Sequence, residues 1–353
     1  MTSHSHAWSL VKDLHQPRPA IFWADLLLSA VAGWGSFAVV LLAKPFSASM
    51  WLAFLIATIA WYRGLCFVHE ISHMRRSQLR GFETAWNALI GVPLLMPSFV
   101  YVGVHSSHHS LATYGTDQDP EYLPFARSHW MTIVFAAHSV LIPLALLLRF
   151  LVLAPAGWLS PRFHRRLVEH ASSLSMNTRY RREDSPALTA SIRRWEMVSI
   201  LTWLAAAVIA AHYGLGWKAL AAWCGISACA ALCNALRTLG AHRYKSTGTP
   251  LDRDGQLTDS IDTPGALWTG LWAPVGLRYH ALHHYFPGIP YHNLGTAYRR
   301  LVSDLPVEAA YQELTSPSLP RSLRRLYRTG KSMRQRERSA QLRLRQSLRS
   351  PGK

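Results

Sequence analysis

The chain has 353 residues; half are hydrophobic and only 16% are charged, against about 25% charged in an ordinary soluble domain. This composition excludes an ordinary water-soluble enzyme and favours an integral membrane protein. The net charge of +18 does not indicate nucleic-acid binding, because 12 Lys and Arg residues and one acid lie between Arg321 and Lys353, and basic segments beside spanning helices are typical of the cytoplasmic side of a membrane.

The apolar segments, in chain order, predict two membrane hairpins. Residues 1–19 form a polar leader, and a bilayer crossing needs about 20 mainly apolar residues. Two segments before residue 70 and two after residue 190 satisfy or approach this length, and each pair is separated by a short turn. The four predicted spans are residues 20–43, 50–68, 195–212 and 218–236.

Two further apolar stretches carry prolines and are not expected to cross. Residues 87–104 contain Pro93 and Pro97, and residues 130–154 contain Pro143. A single crossing by either stretch would put the histidine clusters described next on opposite sides of the membrane. We therefore expect interfacial or re-entrant elements, covered by protein where their backbone is broken.

The predicted fold is all-α. It is an integral membrane bundle of about four transmembrane helices in two hairpins, with re-entrant or interfacial helices and a cytosolic cap that holds the histidines. Residues 20–316 form this membrane domain, and residues 317–353 are expected to be a basic, partly disordered tail. The histidine clusters and the tail are predicted to face the cytoplasm.

Three clusters of histidine follow apolar segments, as HEISH, HSSHH and HALHH. A helix brings positions i, i+3 and i+4 onto one face, and imidazole is a good ligand for iron, zinc, copper and nickel. Eight histidines are too many for one ion with about four ligands and suit a two-metal centre. The clusters contain His69, His73, His105, His108, His109, His280, His283 and His284.

Acidic residues near the clusters are candidates to hold the second ring nitrogen of each histidine. Glu70 and Asp119 are the acids that we assign to this outer position. Glu70 follows His69 directly, so on a helix it points about 100° away and is a poor metal ligand itself. Redox-active metals at the mouth of a membrane protein indicate oxygen chemistry on a lipid-soluble molecule.

With these clusters in this order, the sequence resembles the integral-membrane fatty acid desaturases. Three further segments contribute to the resemblance, which runs from about residue 20 to residue 301. They are GTDQDPEYLP at residues 115–124, LRTLGAHRY at residues 236–244 and HHYFPGIPYHNL at residues 283–294.

The resemblance implies a non-haem di-iron site and oxygen-dependent introduction of a double bond into a membrane-associated acyl chain, carried on a lipid or as a thioester. All eight cluster histidines would be iron ligands, and His242 would be an additional one. Some members also use an asparagine four residues before that histidine, where this chain has Thr238. Asn234 and His292 are further candidates for the surroundings of the site. Electrons would come from a separate ferredoxin or cytochrome b5-like donor.

Two alternatives remain open at this stage. A di-iron hydroxylase of a lipid, or a carotenoid ketolase, could use the same histidines. HEISH is also an HExxH sequence, which in a helix can hold zinc with Glu70 as general base of an intramembrane protease. The protease interpretation leaves the other two clusters without a role.

Overall fold

The computed structural model describes residues 3–75, 77–305 and 310–349, and its regular elements there are helices joined by loops and isolated β-bridges. The fold class is therefore all-α, as predicted. Four helices are long and apolar enough to cross a membrane. They are α2 (Pro19–Leu42), α3 (Ala48–His73), α10 (Pro186–His212) and α11 (Gly216–Ala241). The shorter helices of the first half are α1 (Ser3–Val11), α4 (Phe82–Trp86), α5 (His105–His108), α6 (His129–Ser139), α7 (Ile142–Leu147), α8 (Ala154–Trp158) and α9 (Pro161–Ala171). Those that follow α11 are α12 (Arg253–Asp259), α13 (Thr269–Trp272), α14 (His280–Tyr285) and α15 (Tyr291–Asp304), and α16 (Leu319–Arg349) is the last helix of the described residues.

The four long helices form the two predicted hairpins, α2 with α3 and α10 with α11. Lys218, in the first turn of α11, donates its ammonium hydrogens to the carbonyl oxygens of Leu41 and Ala43 at 2.6 and 2.9 Å. A cation thus satisfies carbonyls that the end of α2 leaves free. The turns of both hairpins therefore lie together at the end of the bundle that is distant from the histidines.

The segment between the first two histidine clusters turns back on itself, as expected for a re-entrant element. Asn87 accepts a hydrogen bond from the Ser98 backbone N–H at 2.7 Å and donates to the Ser98 hydroxyl at 2.9 Å, which ties the two arms together. Trp34 donates to the carbonyl of Leu89, and Trp223 donates to that of Pro93. Backbone groups freed from helical bonding are thereby paired inside protein, as a low-dielectric environment requires.

The stretch around Pro143 is a broken helix. Helix α6 ends at Ser139, and α7 continues through a π-helical turn into α8. The bend between α6 and the combined α7 and α8 is 58°. Pro143 lies in the first turn of α7. A proline there is tolerated because its missing N–H has no helical partner, whereas the same ring inside a continuous helix would clash with the carbonyl four residues earlier.

A buried polar cluster fixes the broken helix against α10. Arg149 donates to the Glu196 carboxylate at 2.6 Å, and Trp158 donates to the other carboxylate oxygen at 3.0 Å. His164 of α9 approaches the same carboxylate at 3.2 Å. This cluster holds the second half of the broken helix beside α9 and the start of α10, where the arginine-rich segment 162–194 lies.

The basic tail, expected to be partly disordered, contains helix α16 from Leu319 to Arg349. Its first turns pack through Leu319, Ser322, Leu326 and Gly330, at spacings of three or four residues that place them on one face. This face was not predicted, because serine and glycine contribute little to an apolar pattern, although small residues allow close packing.

The polar leader contains helix α1, which packs against α15. Arg300 of α15 donates to both carboxylate oxygens of Asp13 at 2.6 and 3.0 Å, and Asn293 donates to the carbonyl of Leu14. Ala7 and Val11 are fully buried. The leader therefore covers the region behind the third histidine cluster.

Candidate metal centre

Helix ends deliver every predicted ligand to one region. His69 and His73 occupy the last turn of α3, and His242 is the residue that follows α11. The second and third clusters form the short helices α5 and α14. The antiparallel bridge between His242 and Ser260 fixes the chain as it leaves α11. Both hairpins thus return their helices to the same side, where the short helices complete the arrangement.

The nine histidines form two groups. Within each group, one nitrogen of every ring lies within 4.8 Å of the corresponding nitrogens of the others. The first group contains His69, His73, His105, His109 and His283. The second group contains His108, His242, His280 and His284. The rings of His109 and His284 stack at 4.3 Å, so the two groups adjoin.

Helical spacing explains most of the sorting. Residues four apart lie above one another on a helix, and each cluster sends its i, i+4 pair to one group. The histidine at i+3 of each short helix points away from the i, i+4 pair of its own cluster. Helices α5 and α14 therefore each contribute one histidine to the group that holds the other helix's pair. His108 of the second cluster joins the second group, and His283 of the third cluster joins the first group.

The nitrogen atoms are arranged as ligands would be. His105 and His109 approach through their Nε2 atoms at 3.1 Å, and His280 and His284 do so at the same distance. Ligand nitrogens about 2.1 Å from one metal ion would be separated by roughly 3.0–3.4 Å. The buried Nε2 atoms of His69, His73 and His108 have no hydrogen-bond partner among the described residues. The donor set therefore fits two metal ions, one in each group.

Carboxylates hold the outer nitrogens of the second cluster. The Nδ1 atom of His105 lies 2.7 Å from Glu121, and that of His108 lies 2.9 Å from Asp119. Asp119 also accepts from the backbone N–H groups of Gly115 and Glu121, so its carboxylate is fixed. An Nδ1–H that donates to a carboxylate leaves Nε2 free to bind metal and makes it more basic.

His242 is held through a tyrosine. Its Nδ1 lies 2.9 Å from the Tyr114 hydroxyl, which donates to the Asp259 carboxylate at 3.2 Å. Tyr114 was not found by the sequence analysis, and neither was Asn177, which donates to the carbonyls of Asp117 and Asp119 and shapes the acidic loop. Neither residue belongs to a cluster: Tyr114 lies five residues after His109, and Asn177 reaches the site from a loop that is distant in sequence.

Other residues predicted near the site have different surroundings. Glu70 accepts from the backbone N–H of Tyr291 at 2.9 Å and has a carboxylate oxygen 3.5 Å from Nδ1 of His69. His292 accepts from the backbone N–H of Arg18 and is not a member of either histidine group. It therefore anchors the leader. Asn234 and Thr238 lie on α11 and line a cavity described below.

Burial favours the neutral form of most histidines of the site, and His108 is an exception. Burial lowers the pKa values of His105, His109 and His284 well below the ordinary value, and neighbouring histidines lower them further. These imidazoles are therefore neutral, as metal binding requires. Burial also acts to lower the pKa of His108, but Asp119 together with nearby acids raises it above the ordinary value. Burial raises the pKa of Glu121 to about 7.

A cavity of about 340 Å³ leads from the first histidine group towards the broken helix. His69 and Tyr101 lie at its inner end, and Ile142 and Pro143 line it where α6 and α7 diverge. Helices α3 and α11 form the side walls. Its lining is mainly apolar, with few polar groups, as is common in sites that bind small lipophilic molecules.

The geometry and the comparisons with known proteins agree on the class. The fatty acid desaturase family model matches residues 45–315, and the chain belongs to that family. This membrane family is characterised by non-haem di-iron chemistry, which is what two adjoining histidine groups suit.

Two curated relatives differ in the reaction they carry out. The chain is 38% identical over 327 residues to a ceramide hydroxylase of Caulobacter vibrioides, covering 91% of this chain and 92% of the relative. It is 33% identical over 88 residues to an acyl-lipid (9+3)-(E)-desaturase of Dimorphotheca sinuata, covering 25% and 23% of the two chains. Family membership argues against the zinc-protease interpretation of HEISH. The geometry argues against it as well, because His69 and His73 share their group with three histidines of other clusters.

Paired substitutions should remove the two metal ions separately. We predict about two irons per wild-type chain. The double variants His69→Ala/His73→Ala and His242→Ala/His280→Ala should each hold about one iron, because each pair belongs to a single group. Iron per purified chain is measured by elemental analysis. His212→Ala, at the exposed end of α10, is the control and should retain both ions. Complete loss of iron in both double variants would contradict two separable sites.

Two aspartates of the same loop should differ in their effect on metal retention. Asp119→Asn should weaken iron binding by about 10- to 100-fold, because it weakens the acceptor that orients His108. Asp117→Asn is the matched control, since that side chain is exposed. Iron remaining after dialysis against graded chelator measures the difference. Equal retention by the two variants would show that the contact between Asp119 and His108 does not tune the site.

Proposed function

We propose that the protein is an oxygen-dependent oxidase of a membrane lipid and that it hydroxylates a ceramide-like substrate. The single observation that carries the class of reaction is the pair of adjoining histidine groups, the first of which meets a mainly apolar cavity through His69. The extended similarity to a ceramide hydroxylase favours hydroxylation. Desaturation of an acyl chain is the second candidate, supported by the family match and by the shorter similarity to an acyl-lipid desaturase.

The protein's own residues would hold, orient and shield the reaction. All nine histidines are proposed as ligands of two irons, which when bound would supply the oxidation of an unactivated C–H bond by dioxygen. Glu121, Asp119 and the pair of Tyr114 with Asp259 orient the rings and keep Nε2 unprotonated. Thr238 occupies the position of the asparagine used by some family members, and it lines the cavity.

Both reactions need electrons as well as oxygen. We propose a separate donor of the ferredoxin or cytochrome b5 class, as the resemblance to the desaturase family implies. The basic residues of α16 make that helix a suitable surface for an acidic donor or for anionic lipid.

Product mass distinguishes the two reactions. Membranes that contain the iron-loaded chain, supplied with ceramide, oxygen and reductant through a donor protein, should yield ceramide with one added oxygen atom. Loss of two hydrogen atoms would identify a desaturase. His105→Ala and His283→Ala should abolish either product while the protein still inserts, and His212→Ala should retain it. Unchanged turnover in both cluster variants would reject the oxidase proposal.

We further propose that the histidines, the arginine-rich segment and α16 face the cytoplasm. Lys44 and Lys218 are the two Lys or Arg residues at the hairpin turns, whereas the other end of the bundle carries the segment 162–194 with eight arginines. Positive residues concentrate on the cytoplasmic side.

Single cysteines introduced into a cysteine-free background test this orientation. A cysteine at Arg179 should react with a membrane-impermeant maleimide only after the cytoplasmic side is exposed. A cysteine at Gly214, in the turn between α10 and α11, should react in intact cells and serves as the opposite control. The reverse pattern would invert the proposed orientation.

A further inference from the structure

The cavity has a polar stripe along one of its walls. It consists of Ser227, Asn234 and Thr238 of α11. Their spacings of seven and four residues place them on one helical face. Ala230 and Ala231 lie between them and leave space beside the stripe. With a rise of about 1.5 Å per residue, the stripe extends roughly 16 Å from the middle of the membrane helix towards the histidines.

Leu65 of α3 and Ile142 and Leu146 of the broken helix supply hydrocarbon to the other walls of the cavity, where Ser139 and Ser175 are among the polar residues. A saturated acyl chain alone would need only the hydrocarbon part of the lining. Polar side chains inside a membrane helix are costly and usually mark a functional site, so the stripe requires an explanation beyond accommodation of an acyl chain.

Part of the hydrogen-bonding capacity along the stripe is not used by the described residues. The Ser227 hydroxyl is buried and has no partner among the described residues. Asn234 accepts a hydrogen bond from Arg237 at 2.9 Å through its carbonyl oxygen, and no described residue accepts from its amide nitrogen. A buried group without a partner costs free energy that a complementary ligand recovers.

Resting on the proposed function, we propose that the stripe of Ser227, Asn234 and Thr238 binds the amide and hydroxyl groups of a neutral amide lipid. The lipid would enter from the bilayer where α6 and α7 diverge, with its hydrocarbon against α3 and the broken helix. The polar groups of the lipid would then follow α11 while a chain carbon reaches the histidines. The stripe selects an amide lipid over an acyl lipid of equal chain length that lacks the amide.

A binding comparison tests this selection without turnover. Purified full-length protein is titrated with a short-chain ceramide and with a diacylglycerol of matched chain length, and the shift in thermal unfolding gives an apparent Kd. The wild type should prefer the ceramide, and Ser227→Ala should reduce that preference by about three- to tenfold, as expected for one lost hydrogen bond. Ser227→Thr should keep most of the preference because it keeps the hydroxyl. Asn234→Ala should also reduce it.

Ser199→Ala is the matched control. Ser199 lies on α10, and its hydroxyl is likewise buried without a partner among the described residues, but it does not line the cavity. This variant should therefore bind both lipids as the wild type does. Equal affinity of the wild type for both lipids, or an unchanged preference in Ser227→Ala, would overturn the inference.

The two proposals fail in different ways. If the wild type prefers ceramide but converts no lipid under any donor, the stripe stands as a binding site and the proposed oxidase function fails. If the wild type oxidises both lipids with equal kcat/KM and Ser227→Ala changes neither, the oxidase stands and the stripe does not determine specificity.

Discussion

The structure depends on a dense packing of neutral imidazoles whose lone pairs face one another. In the second group, Nε2 of His280 lies 2.7 Å from Nε2 of His242 and 3.1 Å from that of His284. Three such rings cannot all be satisfied by hydrogen bonds among themselves, because a nitrogen prepared for metal binding carries no proton. Such an arrangement needs surrounding groups that fix the rings, and its donor atoms suit cations bound between the rings. The carboxylates on His105 and His108 and the relay from His242 through Tyr114 supply that fixation.

This packing determines what the membrane part has to do. The clusters lie between residues 69 and 284 and must reach one side of the bilayer, so an even number of crossings must separate them. The hairpin of α10 and α11 supplies the two crossings between the second and third clusters, and the two proline-containing stretches satisfy the condition by failing to cross. Asn87, paired with Ser98, closes the first stretch, and the break before Pro143 redirects the second. At the same break α6 and α7 diverge, and residues of both helices line the cavity there.

Much of this was accessible from the sequence, and the reasons are physical. Each span was located within a few residues, except that α10 begins nine residues before its predicted start, because length and hydropathy of a crossing are set by the bilayer. The i, i+4 pairs were placed correctly by helical spacing. The exchange of His108 and His283 between groups was not predicted, because it depends on how α5 and α14 face each other. Asn177 was missed because tertiary contacts alone bring it to the site, and the contact of Tyr114 with His242 was missed for the same reason, although Tyr114 follows the second cluster closely. Helix α16 was not predicted, because its buried face includes small residues.

The histidines by themselves do not separate hydroxylation from desaturation. Both reactions begin with the removal of one hydrogen atom from a chain carbon, and they diverge in whether an oxygen atom or a second hydrogen is then transferred. That choice depends on which carbons lie within reach of the metals and on how firmly the substrate is held. In this chain the groups that face the substrate belong to the cavity: His69 and Tyr101 at the inner end, and α11 along the side. A wall that fixes the polar end of a lipid also fixes the distance along its chain to the reacting carbon. Differences in reaction among relatives with the same histidine clusters are therefore to be sought along this wall before they are sought among the ligands.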